Sequence, residues 1–159
     1  MKVILKRQQL PFKNIFFFSV MMFVTISSSA QILEPVKWTI ESKKLNDKEY
    51  EIVYTAKIDN GWHLYSQFIK PNGPNPTSFN LEESTKFIQI GKVTEEKGYD
   101  AYEEFFKMEV KYFKDKAVFV QKIKKVNNDK VTLIGEIEFM SCNNEVCVPG
   151  YFDIEIELI

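Results

Sequence analysis

Cysteine and histidine are scarce in this 159-residue chain, which has two of the first and one of the second. A four-ligand zinc site therefore has too few candidates. Hydrolase chemistry is excluded on similar grounds, because the lone His63 has no Gly-x-Ser-x-Gly elbow to serve, and no glycine-rich phosphate loop is present. Glycine and proline number six each beside 45% hydrophobic and 14% aromatic residues, which rules out collagen-like repeats and disorder. A positive face is missing as well. Beyond residue 30 the chain carries 17 basic and 22 acidic side chains, a net charge of −5, so a nucleic-acid-binding domain that neutralises phosphates is not expected.

Acidic residues are absent from the first thirty positions, which hold Lys2, Lys6, Arg7 and Lys13. An apolar run, Ile15 to Ile26, follows, and Ser28-Ser29-Ala30 then supplies small residues before Gln31. This order predicts a Sec-type signal peptide over residues 1–30, cleaved before Gln31. Twelve apolar residues in a helix reach only about 18 Å, short of a hydrocarbon core about 30 Å thick, so a leader fits better than an anchor. No cysteine lies near the site to carry a lipid, and no later run is apolar for long enough to span a bilayer. The expected product, residues 31–159, is one exported, soluble domain long enough to hold its own core.

Past Pro35 the pattern is one of short strands and polar turns, with little helical periodicity. Val36, Trp38 and Ile40 alternate with polar residues, and Tyr50, Ile52, Tyr54, Ala56 and Ile58 form the longest alternation, ending at the turn residues Asp59-Asn60-Gly61. Further strands are expected at Trp62–Ser66, Ser78–Leu81, Phe87–Val93, Phe106–Tyr112, Ala117–Ile123, Val131–Ser141 and Cys147–Leu158. Ala117–Ile123 is apolar at both parities, as in a strand buried on both faces. The whole predicts an all-β, immunoglobulin-like antiparallel sandwich with Trp38, Tyr54, Ile58, Val110, Phe119, Ile137, Phe139, Ile154 and Ile156 in its core.

The two cysteines, Cys142 and Cys147, flank Asn-Asn-Glu-Val in what reads as the C-terminal hairpin, and an even count in an exported chain suggests a disulfide. A loop of about six residues gains only about 2 kcal/mol from closure, so the bond is a weak staple. By strand parity Cys142 groups with Glu136, Glu138 and Met140, and Cys147 with Tyr151, Asp153 and Glu155, which turns both sulfurs away from the core. A bulge at Pro149-Gly150 would reverse Cys147. Glu145 lies in the loop and no Lys or Arg adjoins it, so nothing local lowers a thiol pKa. An inert bridge and a passive carrier, attacked by a partner's thiolate and later reoxidised, both remain open.

Three segments carry a family likeness: Asn60-Gly61-Trp62-His63-Leu64-Tyr65-Ser66, Tyr102-Glu103-Glu104-Phe105-Phe106, and Phe139 to Pro149 with both cysteines. With these the chain resembles the N-terminal periplasmic domain of the thiol:disulfide interchange protein DsbD, in a stand-alone form. The resemblance implies an immunoglobulin-like redox carrier that takes electrons from a transmembrane disulfide reductase. It passes them to periplasmic thioredoxin-like proteins, among them disulfide isomerases and cytochrome c maturation factors. It implies that Cys147 is the nucleophile, that Cys142 resolves the mixed disulfide, and that Phe105 lies in a cap loop with Glu103 and Glu104 beside a site-lining Tyr65. Four residues separate the cysteines here, one fewer than in the best-known enterobacterial version. Parity groups Phe106 with Met108, Val110 and Tyr112, leaving Phe105 as the lid candidate. The implied product is a monomeric protein-disulfide reductase of the periplasm with no cofactor and no metal.

Two other readings compete. One is an exported immunoglobulin-like binding module with a purely structural disulfide. The other is Cu(I) binding by Cys142, Cys147, Met140 and His63, disfavoured because the thiols are oxidised outside the cytoplasm.

Overall fold

The computed structural model describes residues 33–158, so the predicted signal peptide and its cleavage site lie outside the described residues. Those residues form ten strands and, among them, no helix. One sheet runs β1(Val36–Lys44), β2(Glu49–Ile58), β8(Lys116–Lys125), β5(Phe87–Glu95). The second runs β10(Cys147–Leu158), β9(Val131–Cys142), β3(His63–Tyr65), β7(Met108–Phe113), β6(Tyr99–Glu103), with β4(Ser78–Leu81) also paired to β9. All pairings are antiparallel, giving the expected immunoglobulin-like sandwich with its disulfide in the C-terminal hairpin.

Period-two alternation explains why these segments pack as they do. In β2, Tyr50, Ile52, Tyr54, Ala56 and Ile58 are all buried against Phe119 and Ile123 of β8 and Ile137 and Ile154 of the facing sheet. The β2 alternation stops where expected, at a turn closed by the Trp62 amide donating to the Asp59 carbonyl at 3.1 Å, with Gly61 at φ +82°.

Several expectations need correction. β8 is not buried on both faces. Val118 and Val120 are half-exposed on its outer side, while Gln121 points inward and donates its amide to the carbonyls of Ile90 and Lys122. Phe106 lies in the turn before β7, not in a strand, and the separate edge strand β6 was not anticipated. Val110 belongs to a second, smaller cluster rather than the sandwich core, and Ile156 is only half-buried.

Glu95, at the end of β5, ties the two sheets together. Its side chain is 4% exposed and accepts from Ser66 Oγ at 2.5 Å and the Gln67 amide at 3.0 Å, just past β3. Lys111 Nζ of β7 lies 3.9 Å away. Glu95→Ala strands these donors, so unfolding in urea should show a loss of about 1–3 kcal/mol.

Candidate functional site

The hairpin register is continuous from Cys142↔Cys147 to Val131↔Leu158, with no bulge at Pro149-Gly150. The cysteines are therefore directly opposed, Cα atoms 4.1 Å apart, and joined as a disulfide. The connecting loop is held by Asn143, whose Oδ1 accepts from the amides of Glu145 and Val146, both at 2.8 Å. With the Asn143 amide donating to the Val146 carbonyl at 3.0 Å, these bonds close a tight turn at the hairpin end.

Cys142 does turn away from the sandwich core, as parity requires, but it does not reach a polar surface. It is fully buried, in a cluster with Tyr65 and Val110 on the outer face of the second sheet. Phe106, Met108, Tyr112, Met140 and Cys147 pack against this cluster. Strand pairing explains the gathering. His63 opposes Cys142, Tyr65 opposes Tyr112, Val110 opposes Ala101 and Met108 opposes Glu103, and opposed residues share a face. Leu64, between His63 and Tyr65, points the other way into the main core. Cys147 is half-exposed, so of the two sulfur-bearing residues only the second is open to an approaching protein.

The candidate lid residues divide. Phe105 sits at the β6–β7 turn with 55% of its surface exposed, whereas Phe106 packs on the cysteine cluster and meets the Tyr65 ring edge-on at 6.2 Å. Glu104 is exposed on the same turn. Glu103 turns inward and accepts a hydrogen bond from Tyr65 Oη at 3.2 Å. His63 Nε2 completes a triangle, 3.1 Å from Tyr65 Oη and 3.4 Å from Glu103 Oε2. A groove of about 640 Å³ runs from this turn to the hairpin loop, lined by His63, Glu104, Phe105, Lys114, Asn143 and Asn144 among others.

Burial pushes the His63 imidazole below its ordinary range, partly opposed by the Glu103 carboxylate and reinforced by Lys114. Burial also pushes the Tyr65 phenol up, with the Glu103 charge and hydrogen bond adding to it. His63 gives a pH prediction with a definite sign. Its folded-state pKa is depressed, so between that value and about 6.5 the unfolded chain binds more protons and stability rises with pH. Unfolding of the wild type should need less urea at pH 5.5 than at pH 7.5, and His63→Gln should remove part of that difference. The family resemblance assigns His63 no role in exchange, yet its shared parity with Tyr65 in β3 is the signal that it faces the same site.

The family model for the N-terminal domain of thiol:disulfide interchange protein DsbD matches residues 29–156. The chain belongs to the DsbD N-terminal domain family. Its disulfide and this membership together support a thiol:disulfide interchange role. The N-terminal periplasmic domain of ScsB from Proteus mirabilis is similar in structure, with TM-score 0.58 and 15% identity over 78% of this chain and 47% of that one. The chain thus spans about half the length of that ScsB chain. A chain in the complex between the DsbD N-terminal and PilB N-terminal domains from Neisseria meningitidis matches at TM-score 0.50 and 13% identity, over 79% of this chain and 88% of that one. The reduced DsbD N-terminal domain from Neisseria meningitidis gives TM-score 0.44 and 16% identity over 75% and 83%. At these identities the structural likeness speaks for the fold alone. No curated protein matches the DsbD-family chain by sequence.

Proposed function

We propose that this DsbD-family domain is a periplasmic electron carrier in which Cys142 and Cys147 cycle between disulfide and dithiol. The observation that carries the reading is the asymmetry of the pair: a fully buried Cys142 packed among aromatic side chains and a partly exposed Cys147 at the end of the hairpin. A bond that serves only as a staple has no need of such a setting, and this one closes too short a loop to stabilise much. Cys147 is the nucleophile that forms a mixed disulfide with a partner, and Cys142 resolves it. The β6–β7 turn is the lid, with Phe105 outermost, Phe106 packed beneath it, and Glu103 and Tyr65 pinning its base. Partners are thioredoxin-like proteins outside the cytoplasm, a reading supported by the PilB complex of the Neisseria relative. A transmembrane disulfide reductase is the electron donor, residues 1–30 are the export signal, and the mature chain works as a monomer.

The deciding experiment is the reduction potential of the Cys142–Cys147 pair in the mature domain, by equilibration in thiol redox buffers and mass-tag counting of free thiols. The carrier requires a value above about −300 mV, within reach of cellular exchange partners. A value well below that leaves an inert hairpin staple and returns the domain to the binding-module reading.

A further inference from the structure

We propose that His63 accepts the proton of the Cys142 thiol when that thiol resolves the mixed disulfide at Cys147. The inference rests on the carrier reading and adds to it a residue that handles protons.

The need for such a group follows from burial. Cys142 is fully enclosed with Tyr65 and Val110, among apolar and aromatic side chains. A thiol in apolar surroundings holds its proton more tightly than one in water, whereas the attacking species in exchange is the thiolate. Cys142 therefore needs a base on its own side of the sheet. His63 is directly opposite it in the β3–β9 ladder. Opposed residues on one face have Cβ atoms about 5 Å apart, within reach of an imidazole.

The surroundings hold His63 in place for that task. Its ring lies 5.0 Å from both the Tyr65 ring of its own strand and the Tyr112 ring of β7, which hold it in place. Nε2 is occupied by Tyr65 Oη and Glu103 Oε2, which leaves Nδ1 as the free ring nitrogen. The charged and titratable groups around it are Glu103 from β6, Tyr65 on its own strand, Tyr112 from β7, Lys114 just after β7, and Glu104 and Asp115 on the groove. Burial favours the neutral imidazole, the form that can accept a proton.

The step balances as follows. The Cys147 thiolate has already displaced one partner thiolate, leaving a Cys147–partner disulfide. Cys142 S–H gives its proton to His63, and its sulfur attacks Cys147 Sγ. The Cys142–Cys147 bond forms, the Cys147–partner bond breaks, and the second partner sulfur leaves as a thiolate that takes up a proton from His63 or water. Two electrons pass to the partner, and the domain ends oxidised.

A symmetric aromatic disulfide with a coloured leaving thiolate separates the two halves of this cycle. Reduced domain mixed with a stoichiometric amount releases one equivalent when Cys147 attacks and a second when Cys142 resolves. His63→Gln should leave the first phase unchanged and slow the second about tenfold or more at pH 7, the low end of what a positioned base contributes. The inflection in the rate of the second phase should rise from that of the imidazole to the ordinary thiol value of about 8.5 or above it. Glu103→Gln removes the charge that holds the imidazole up, so the inflection should move to lower pH, a shift that a purely structural role does not produce. An unchanged second phase and pH profile in both variants overturns the assignment while leaving the carrier intact. Absence of the first phase in the wild type overturns the carrier reading, and the role of His63 falls with it.

Discussion

Cys142→Ser is expected to react once through Cys147 and stop, accumulating a mixed disulfide with any thioredoxin-like partner that carries an exposed disulfide. Cys147→Ser should accumulate almost none. Both variants lose the same bond, worth about 2 kcal/mol, and any further cost of a buried hydroxyl falls on Cys142→Ser, the variant expected to react, so the difference runs opposite to a folding effect. It comes from access. Cys147 is half-exposed at the hairpin end, whereas Cys142 is enclosed and reacts only when its cover opens. If opening costs about 3 kcal/mol, the buried thiol of Cys147→Ser should be modified about 100-fold more slowly than the thiol of Cys142→Ser. A small uncharged alkylating reagent measures the ratio without a partner, and trapping with a partner disulfide extends it to the biological case. Equal rates would mean that the cover contributes nothing, and the assignment of Cys147 as nucleophile would lose its physical basis.

Much of this arrangement was legible in the sequence because strand parity is a strict rule. It placed the β2 residues in the core, turned both cysteines to the far side of β9 and β10, and put Phe106 with Val110 and Tyr112. Parity names a face without saying what covers it. The expectation of a polar environment for Cys142 failed for that reason: β3, the β6–β7 turn and β7, some thirty residues or more earlier in the chain, bring Tyr65, Phe106 and Val110 over the outer face. The same ambiguity assigned Val110 to the sandwich core. Strand β6 was missed because Tyr-Asp-Ala-Tyr-Glu has no buried face of its own, being an edge strand with Tyr99 and Tyr102 both exposed. In β8 the β-branched Val118 and Val120 resembled a second buried face, although they line the half-open outer side. His63 illustrates the limit of reading residue types singly. Its chemistry is set by Cys142 across the ladder and Glu103 two strands away, neither of which is near it in sequence.

Gly135→Ala should give the largest stability loss of any glycine-to-alanine change in the domain while leaving the redox site untouched. Gly135 lies within β9, opposite Leu81 of β4 on one side and Ile154 of β10 on the other. A Cβ there would sit within 2.2 Å of the Asn80 carbonyl oxygen and 2.8 Å of Leu81 Cα. Both are backbone atoms, so no rotamer change relieves the clash, and β4 must move away from the strand to which it is hydrogen-bonded. Overpacking of this kind costs about 3 kcal/mol, the upper part of the usual range, because displacing β4 also weakens the packing of Phe79 against Trp38, Tyr54 and Phe119. The cysteine pair lies seven residues along β9, about 23 Å from Gly135 at the usual strand rise. Urea unfolding should therefore shift strongly while the reduction potential of the Cys142–Cys147 pair stays at its wild-type value under native conditions. A coupled change in potential would show that β4 supports the site through β9, and that the disulfide senses strain along the whole strand rather than only its own cluster.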